Sequence, residues 1–232
     1  MTRPPIPSPD DATERHSKDS GVATDSAHPT ILIHTVKNNL QVLHSLCSLH
    51  SRSINDKTAL SAFSRIRGGL LLFAEAYDLL YRSDQTDLIN LGPFFQKIIS
   101  RFASLYLFGG SPWRASSLIP EISVCFSTAV SWGLLLNEVI GHLASSLSNT
   151  SLSSELSAIG ALEESCLAIT FRLPSPSTDN CSENPSPAPQ MPTHIGPVGT
   201  ALLRQCEGSL IWITHLPASL KVVLPLPETI SS

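Results

Sequence analysis

A chain of 232 residues, 42% hydrophobic and 15% charged, is long enough for one large or two modest globular domains. Its formal net charge of −4, with no run of Lys or Arg, argues against nucleic acid as a partner. Five scattered cysteines without a C-x-x-C pair indicate reduced thiols and no metal site. No apolar stretch reaches the roughly 18 residues of a membrane span, and no signal peptide is evident, so we expect a cytoplasmic protein.

Residues 1–29 are rich in Pro, Ser, Asp and Thr and are predicted to form a disordered tail. From residue 30 onward, apolar positions recur at alternating steps of three and four, the spacing of a coiled-coil seam. Two such series, separated by a short link at residues 53–56, predict an antiparallel helical hairpin over residues 30–84. The seam positions are Ile33, Val36, Leu40, Leu43, Cys47 and His50, then Ala59, Phe63, Ile66, Leu70, Phe73, Tyr77 and Leu80.

A single hairpin of this kind cannot cover its own apolar stripe. Two copies that pair across a twofold axis would cover it and form a four-helix bundle, so we expect a homodimer. The alternative is a hairpin that is covered by the rest of its own chain.

Residues 85–115 are predicted to hold a linking helix at 93–105, with Pro93 in its first turn, followed by a loop. Residues 116–228 are predicted to form an α+β sandwich, with one sheet under one helical layer. Prolines crowd the stretch between residues 173 and 193 and predict a loop or lid there. The predicted strands lie at 122–126, 167–171, 209–213 and 220–224, and the helices at 128–147 and 200–206.

Residues 34–41 (HTVKNNLQ) combine a titratable imidazole with a carboxamide one helical turn later. The segment resembles the phosphoacceptor box H-R-x-K-N-N-L-Q of bacterial sensor histidine kinases of the second dimerisation/phosphoacceptor subgroup. The resemblance implies that His34 carries phosphate as a phosphoramidate and that Asn38 and Lys37 assist the transfer. Thr35 replaces the family's Arg and removes a cation that could stabilise phosphate, which Lys37 compensates only in part.

The resemblance extends along the chain to about residue 226. Residues 133–138 (GLLLNE) resemble the G-L-I-L-N-E start of the family's ATP-binding helix, and residues 205–210 (QCEGSL) its Q-L-G-G-S-L turn. Residues 65–66, 79–84 and 224–226 match further family segments. The resemblance therefore implies a kinase-type ATP-binding fold in the C-terminal half.

The ATP-binding signature is degenerate, however. His142 stands where the family has the Asn that holds the magnesium of MgATP, and an imidazole is a poor ligand for that ion. The one counterpart of the D-N-G-x-G-x-P signature begins at Asp179, with Cys181 and Glu183 in place of the glycines. Asn137, Glu138, Gly196 and Gly199 match family positions and are interpreted as remnants of a nucleotide site.

These features lead to three hypotheses. The first is a histidine phosphotransfer protein that exchanges phosphate between His34 and a response-regulator receiver domain, without a cofactor. The second is an ATP-dependent histidine kinase that phosphorylates its own His34 with MgATP. The third is a non-catalytic dimeric scaffold whose His34 is vestigial.

Overall fold

The residues that the computed structural model describes are 27–82, 87–106, 114–147, 155–172, 195–213 and 219–227. Most of the predicted tail at residues 1–29, and the proline-rich segment that contains Asp179, lie outside these residues. Among the helices of the described part, none is long and apolar enough to cross a membrane.

The first described part of the chain is a helical hairpin, as predicted. Helix α1 spans Ala27–Ser51 and helix α2 spans Lys57–Arg82. Asp56 caps the start of α2, because its Oδ1 accepts a hydrogen bond from the Ala59 backbone N–H at 2.7 Å. An ion pair between Lys37 of α1 and Asp78 of α2 sets the register in which the two helices face each other.

The seam of this hairpin is only partly covered within a single chain. None of the predicted seam positions is fully buried, and Leu43, His50 and Ile66 are exposed. On another side of α2, by contrast, Leu72 and Ala76 are completely buried against the rest of the chain. The chain therefore covers one side of α2 and leaves an open apolar face, formed by Val42, Leu43, Leu46, Leu49 and Ile66.

A short strand and a third helix follow the hairpin. Strand β1 (Leu88–Asn90) leads directly into helix α3 (Leu91–Leu105), which begins two residues before the predicted start at Pro93. The Asn90 side chain caps α3 by accepting a hydrogen bond from the Gly92 N–H at 3.1 Å. β1 pairs antiparallel with β3 (Ser123–Cys125), which is shorter than predicted because Phe126 already begins the next helix.

The main sheet has five strands in the order β2-β4-β5-β7-β6. β2 pairs with β4 in parallel, and the other neighbours are antiparallel. β5, β6 and β7 lie where they were predicted, whereas β2 and β4 were not predicted. The strands are β2 (Arg114–Leu118), β4 (Glu155–Glu163), β5 (Cys166–Arg172), β6 (Ser209–Ile213) and β7 (Ser219–Pro225).

Two helices complete the C-terminal half. Helix α4 spans Phe126–Leu147, and helix α5 spans Gly196–Gln205, beginning four residues earlier than predicted. Apolar side chains of α3 and α4, including Phe94, Phe102 and Leu136, share one buried cluster with the inward side chains of the sheet. The predicted fold class, a helical hairpin followed by an α+β sandwich, is confirmed.

Helix α2 lies antiparallel along α4 and joins the hairpin to this core. At one end the Ser61 and Ser145 hydroxyl oxygens are 3.4 Å apart, and at the other the Tyr77 and Phe126 rings are 5.0 Å apart. Since 16 residues of helix separate Ser61 from Tyr77, the contact is about 24 Å long. Leu72 of α2 belongs to the same buried cluster as the sheet, so the core is continuous from α2 to β7.

Candidate functional site

His34 is exposed near the start of α1, one helical turn before Asn38. The Asn38 Nδ2 lies 3.2 Å from the His34 Nδ1. A carboxamide turned by 180° presents its oxygen in the same place, where it accepts a hydrogen bond from an Nδ1–H group. That tautomer leaves a free lone pair on Nε2, which is the form of the ring that can act as a nucleophile.

Lys37, three residues after His34, forms an ion pair with the buried Asp78 of α2. The other carboxylate oxygen of Asp78 contacts the Arg82 Nη2 at 3.0 Å. Burial raises the pKa of Asp78, but the hydrogen bond from Lys37 and the charges of Lys37, Arg82 and Lys97 outweigh burial, and the pKa lies below its ordinary value. Asp78 is therefore ionised at neutral pH and bridges two cations on the His34 end of the hairpin.

One turn earlier on α2, the buried Glu75 holds two cations of α3. Its carboxylate pairs with Lys97 and lies 2.6 Å from the Arg101 Nη2.

Burial, followed by the charges of Arg67 and Arg101, lowers the pKa of His44, and its Nε2 is enclosed. His44 is thus a half-buried imidazole with an enclosed Nε2, whereas His34 on the same helix is exposed.

Asn137, which matches the first Asn of the family's ATP-binding helix, is buried between helices. Its Oδ1 accepts a hydrogen bond from the Tyr106 hydroxyl at 2.8 Å, and its Nδ2 donates to the Arg65 carbonyl oxygen at 2.9 Å. A Cβ atom at Gly68 would lie 2.0 Å from the Asn137 Oδ1, so α2 approaches this amide as closely as only glycine allows. Both ends of the amide are engaged by packing partners.

Glu138 is also buried at this helix contact, with its Oε2 3.7 Å from the Arg65 Nη1. Burial raises the pKa of Glu138, and the charge of Arg65 offsets this only in part. Tyr106 is nearly inaccessible, and burial together with the Glu138 charge raises its pKa as well. These groups form a polar cluster of Arg65, Tyr106, Asn137 and Glu138 that links α2, α4 and the end of α3.

The remaining candidate nucleotide residues lie where α4 meets α5. Gly196 has a φ of +72°, and a Cβ there would lie 2.9 Å from the His142 Nε2. A Cβ at Gly199 would lie 2.9 Å from the Ile195 side chain. Asp179 lies outside the described residues. Because Asn137 and Glu138 face α2 and His142 lies against the start of α5, the side chains present do not fit a magnesium–nucleotide complex.

A concave feature lies elsewhere on α4. A cavity of about 410 Å³ lies between the first turns of α4 and the end of α5, with Ser127, Ser131 and Glu207 among its lining residues. It occupies the other half of α4 from Asn137 and His142, so it does not correspond to the predicted nucleotide site. Within the described ranges, no His, Cys, Asp or Glu side chains are grouped so that they could hold a metal ion.

The sequence pattern predicted His34, Lys37 and Asn38 as site residues but did not predict Asp78, which pairs with Lys37, or Tyr106, which contacts Asn137. Asp78 carried a readable signal, because it is an acid in an otherwise apolar stretch four residues before Arg82. Tyr106 carried no such signal. Its role depends on a contact with Asn137, which is 31 residues away in the chain.

A family model matches the first half of the described chain. The family model HisKA_2, described as histidine kinase, matches residues 32–106. That range covers α1 from residue 32 onward, all of α2 and α3. No curated protein sequence matches the chain.

Solved structures give matches of low sequence identity. The Erythrobacter litoralis EL346 blue-light activated histidine kinase has a TM-score of 0.51 and 17% identity, covering 89% of this chain and 66% of that chain. The histidine kinase domain of the same protein has a TM-score of 0.49 and 15% identity, covering 86% of this chain and 93% of that chain. This chain thus spans less than two thirds of the first kinase. The likeness shows the fold.

Proposed function

We propose that this chain, a relative of the HisKA_2 histidine kinases over residues 32–106, is a histidine phosphotransfer protein with His34 as its phosphoacceptor. The observation that carries the proposal is a contrast between two sites. His34 is exposed beside a carboxamide, whereas Asn137 and Glu138 are enclosed by the packing of α2 on α4. Among the described residues, an exposed acceptor for phosphate is present, whereas Asn137 and Glu138 are engaged by packing contacts.

The transfer step needs only the imidazole and a phosphorylated partner. The Nε2 lone pair of His34 attacks phosphorus and forms the N–P bond, while the P–O bond to the partner's aspartate breaks and its electrons return to that carboxylate. The Nδ1 proton stays on the ring, and the Asn38 amide accepts its hydrogen bond when the carboxamide is turned so that its oxygen faces Nδ1. In the reverse direction the phosphoryl group returns to an aspartate.

The partner in this proposal is a response-regulator receiver domain, whose aspartyl phosphate supplies or accepts the group. An exposed acceptor near the start of a long helix is accessible to such a domain. No cofactor takes part.

The protein is also proposed to act as a homodimer. The open apolar face formed by Val42, Leu43, Leu46, Leu49 and Ile66 exposes between 46% and 58% of each side chain. A second copy of the hairpin would cover this face and the half-buried seam beside it, which removes apolar surface from water in both chains. His34 lies outside the face, so pairing leaves it accessible.

Replacing Leu46 with Glu is expected to separate the dimer. Each substitution removes about 2 kcal/mol of favourable apolar burial. Because a twofold interface contains the substitution twice, the dissociation constant of the dimer should rise by more than about 100-fold. The mass in solution, measured by analytical ultracentrifugation, tests this. Leu118→Glu is the matched control, because Leu118 is 75% exposed on β2, far from the hairpin. A dimer that survives Leu46→Glu as well as it survives Leu118→Glu argues against this interface.

Two labelling reactions distinguish the proposed function from its rivals. We expect purified protein to take up radiolabelled phosphate from a phosphorylated receiver domain but not from MgATP. An ATP affinity that depends on magnesium and is tighter than about 1 mM, or roughly 4 kcal/mol, favours an autophosphorylating kinase instead. Receiver binding without transfer favours a scaffold.

A further inference from the structure

The backbone of Arg82 lies at about the same level of the hairpin as the backbone of His34, while the Arg82 side chain contacts Asp78. The Lys37–Asp78 ion pair fixes the register of α1 against α2. His34 lies three residues from Lys37, or about 4.5 Å along α1, and Arg82 lies four residues from Asp78, or about 6 Å along α2. Because the helices are antiparallel, both steps lead in the same direction. Residues three or four apart lie on the same face of a helix, so His34 shares a face of α1 with Lys37, and Arg82 shares a face of α2 with Asp78.

The charges around Asp78 do not cancel. The carboxylate of Asp78 contacts Lys37 and Arg82, and the charge of Lys97 also acts on it. Lys97 is shared with Glu75, which pairs with Arg101 as well. Among the described residues, three cations therefore act on the single charge of Asp78, a local excess of positive charge in a chain whose formal net charge is −4.

We infer that Lys37 and Arg82, bridged by Asp78, form the binding site for the phosphoryl group that His34 carries. This inference rests on the proposed function and adds Arg82 to the residues that touch the reacting group. The Arg82 side chain is 70% exposed, so its guanidinium can turn from Asp78 to a new anion beside it. It supplies from α2 the cation that Thr35 does not supply from α1.

The chemistry gives this site its role in transfer. As the N–P bond to His34 Nε2 forms and the bond from phosphorus to the donor breaks, negative charge stays on the three outer phosphoryl oxygens. A planar guanidinium can donate two parallel hydrogen bonds to such oxygens, and the Lys37 ammonium can donate a third. Both cations keep their protons throughout, so they stabilise the charge and do not act as acids or bases.

The test uses phosphoramidate, a small phosphoryl donor that needs no partner protein, alongside a phosphorylated receiver domain. Formation of the phosphohistidine at His34 is followed by phosphorus NMR and mass spectrometry in the full-length dimer. We expect Arg82→Gln to slow labelling by about tenfold, as for the loss of one charge-assisted hydrogen bond. Arg82→Lys should restore the rate to within about threefold, because it keeps the charge.

Arg101→Gln is the matched control. It removes the same charge from a cation that is paired with Glu75, so it changes the net charge equally while leaving the His34 end intact. We expect the labelling rate of Arg101→Gln to stay within about twofold of the unaltered protein, since solvent ions screen a charge that lies away from the His34 end of the hairpin. The thermal midpoint of each variant separates loss of the site from loss of the fold.

The outcomes separate this inference from the proposed function. Equal rates for Arg82→Gln and Arg101→Gln overturn the phosphoryl site, even where the receiver still transfers phosphate. Labelling of His34 by phosphoramidate that depends on Arg82, with no transfer from any receiver tested, supports the site and rejects the phosphotransfer function. Absence of labelling from both donors rejects both.

Discussion

Replacement of His34 with Gln is expected to reduce phosphate uptake from a phosphorylated receiver domain to background. The glutamine amide nitrogen shares its lone pair with its carbonyl group and cannot attack phosphorus, whereas the size and polarity of the side chain are kept. The side chain is exposed, so the free energy of unfolding should change by less than about 0.5 kcal/mol. Radiolabel retained on the protein after transfer measures the effect.

His50→Gln is the control for this experiment. His50 is exposed on the same helix, 16 residues from His34, and lacks the Asn neighbour one turn later. Its replacement should leave labelling unchanged. Undiminished labelling of the His34 variant, or equal loss in both variants, would contradict the assignment of His34 as the acceptor.

Gly68→Ala is expected to destabilise the fold by about 3 kcal/mol. The new Cβ would lie 2.0 Å from the Asn137 Oδ1, and that amide cannot move away without breaking its hydrogen bonds to Tyr106 and Arg65. The substitution therefore forces α2 away from α4 or breaks the polar cluster between them. A lower urea midpoint with an unchanged slope measures the loss.

The neighbouring Gly69→Ala is expected to have the opposite sign. Its Cβ would meet only the Leu134 side chain, at an ordinary contact distance of 3.5 Å. Alanine is a better helix former than glycine, so this variant should be more stable by about 0.5–1 kcal/mol. If both variants change stability alike, the close contact between Gly68 and Asn137 does not hold α2 against α4.

The parts of the fold that local sequence patterns determine were predictable. The hairpin follows from a period of apolar residues sustained over two helices, and β5 and β7 follow from β-branched and aromatic residues. β4 has the composition of a helix, with Ala, Leu and Glu, and it is a strand because seven residues pair with β5. β2, with the sequence RASSL, carries no strand signal, and its parallel pairing with β4 depends on distant residues.

The candidate site divides in the same way. His34 and Asn38 lie one turn apart on one helix, so their spacing alone predicted that they would meet. The Asn137 side chain meets a carbonyl oxygen 72 residues earlier in the chain, and no local pattern encodes that contact. The sequence showed only that Asn137 matches a family motif. Its packing role depends on helix α2, which lies against it.

The long contact between α2 and α4 has a consequence for timing. Where a catalytic domain has to move to reach a histidine, each turnover includes a domain motion before the chemical step. Here the helix that supports the acceptor is already part of the core that contains α4 and the sheet. Since His34 is exposed in this arrangement, we expect the rate of the proposed phosphate transfer to be set by how often the two proteins collide in the right orientation.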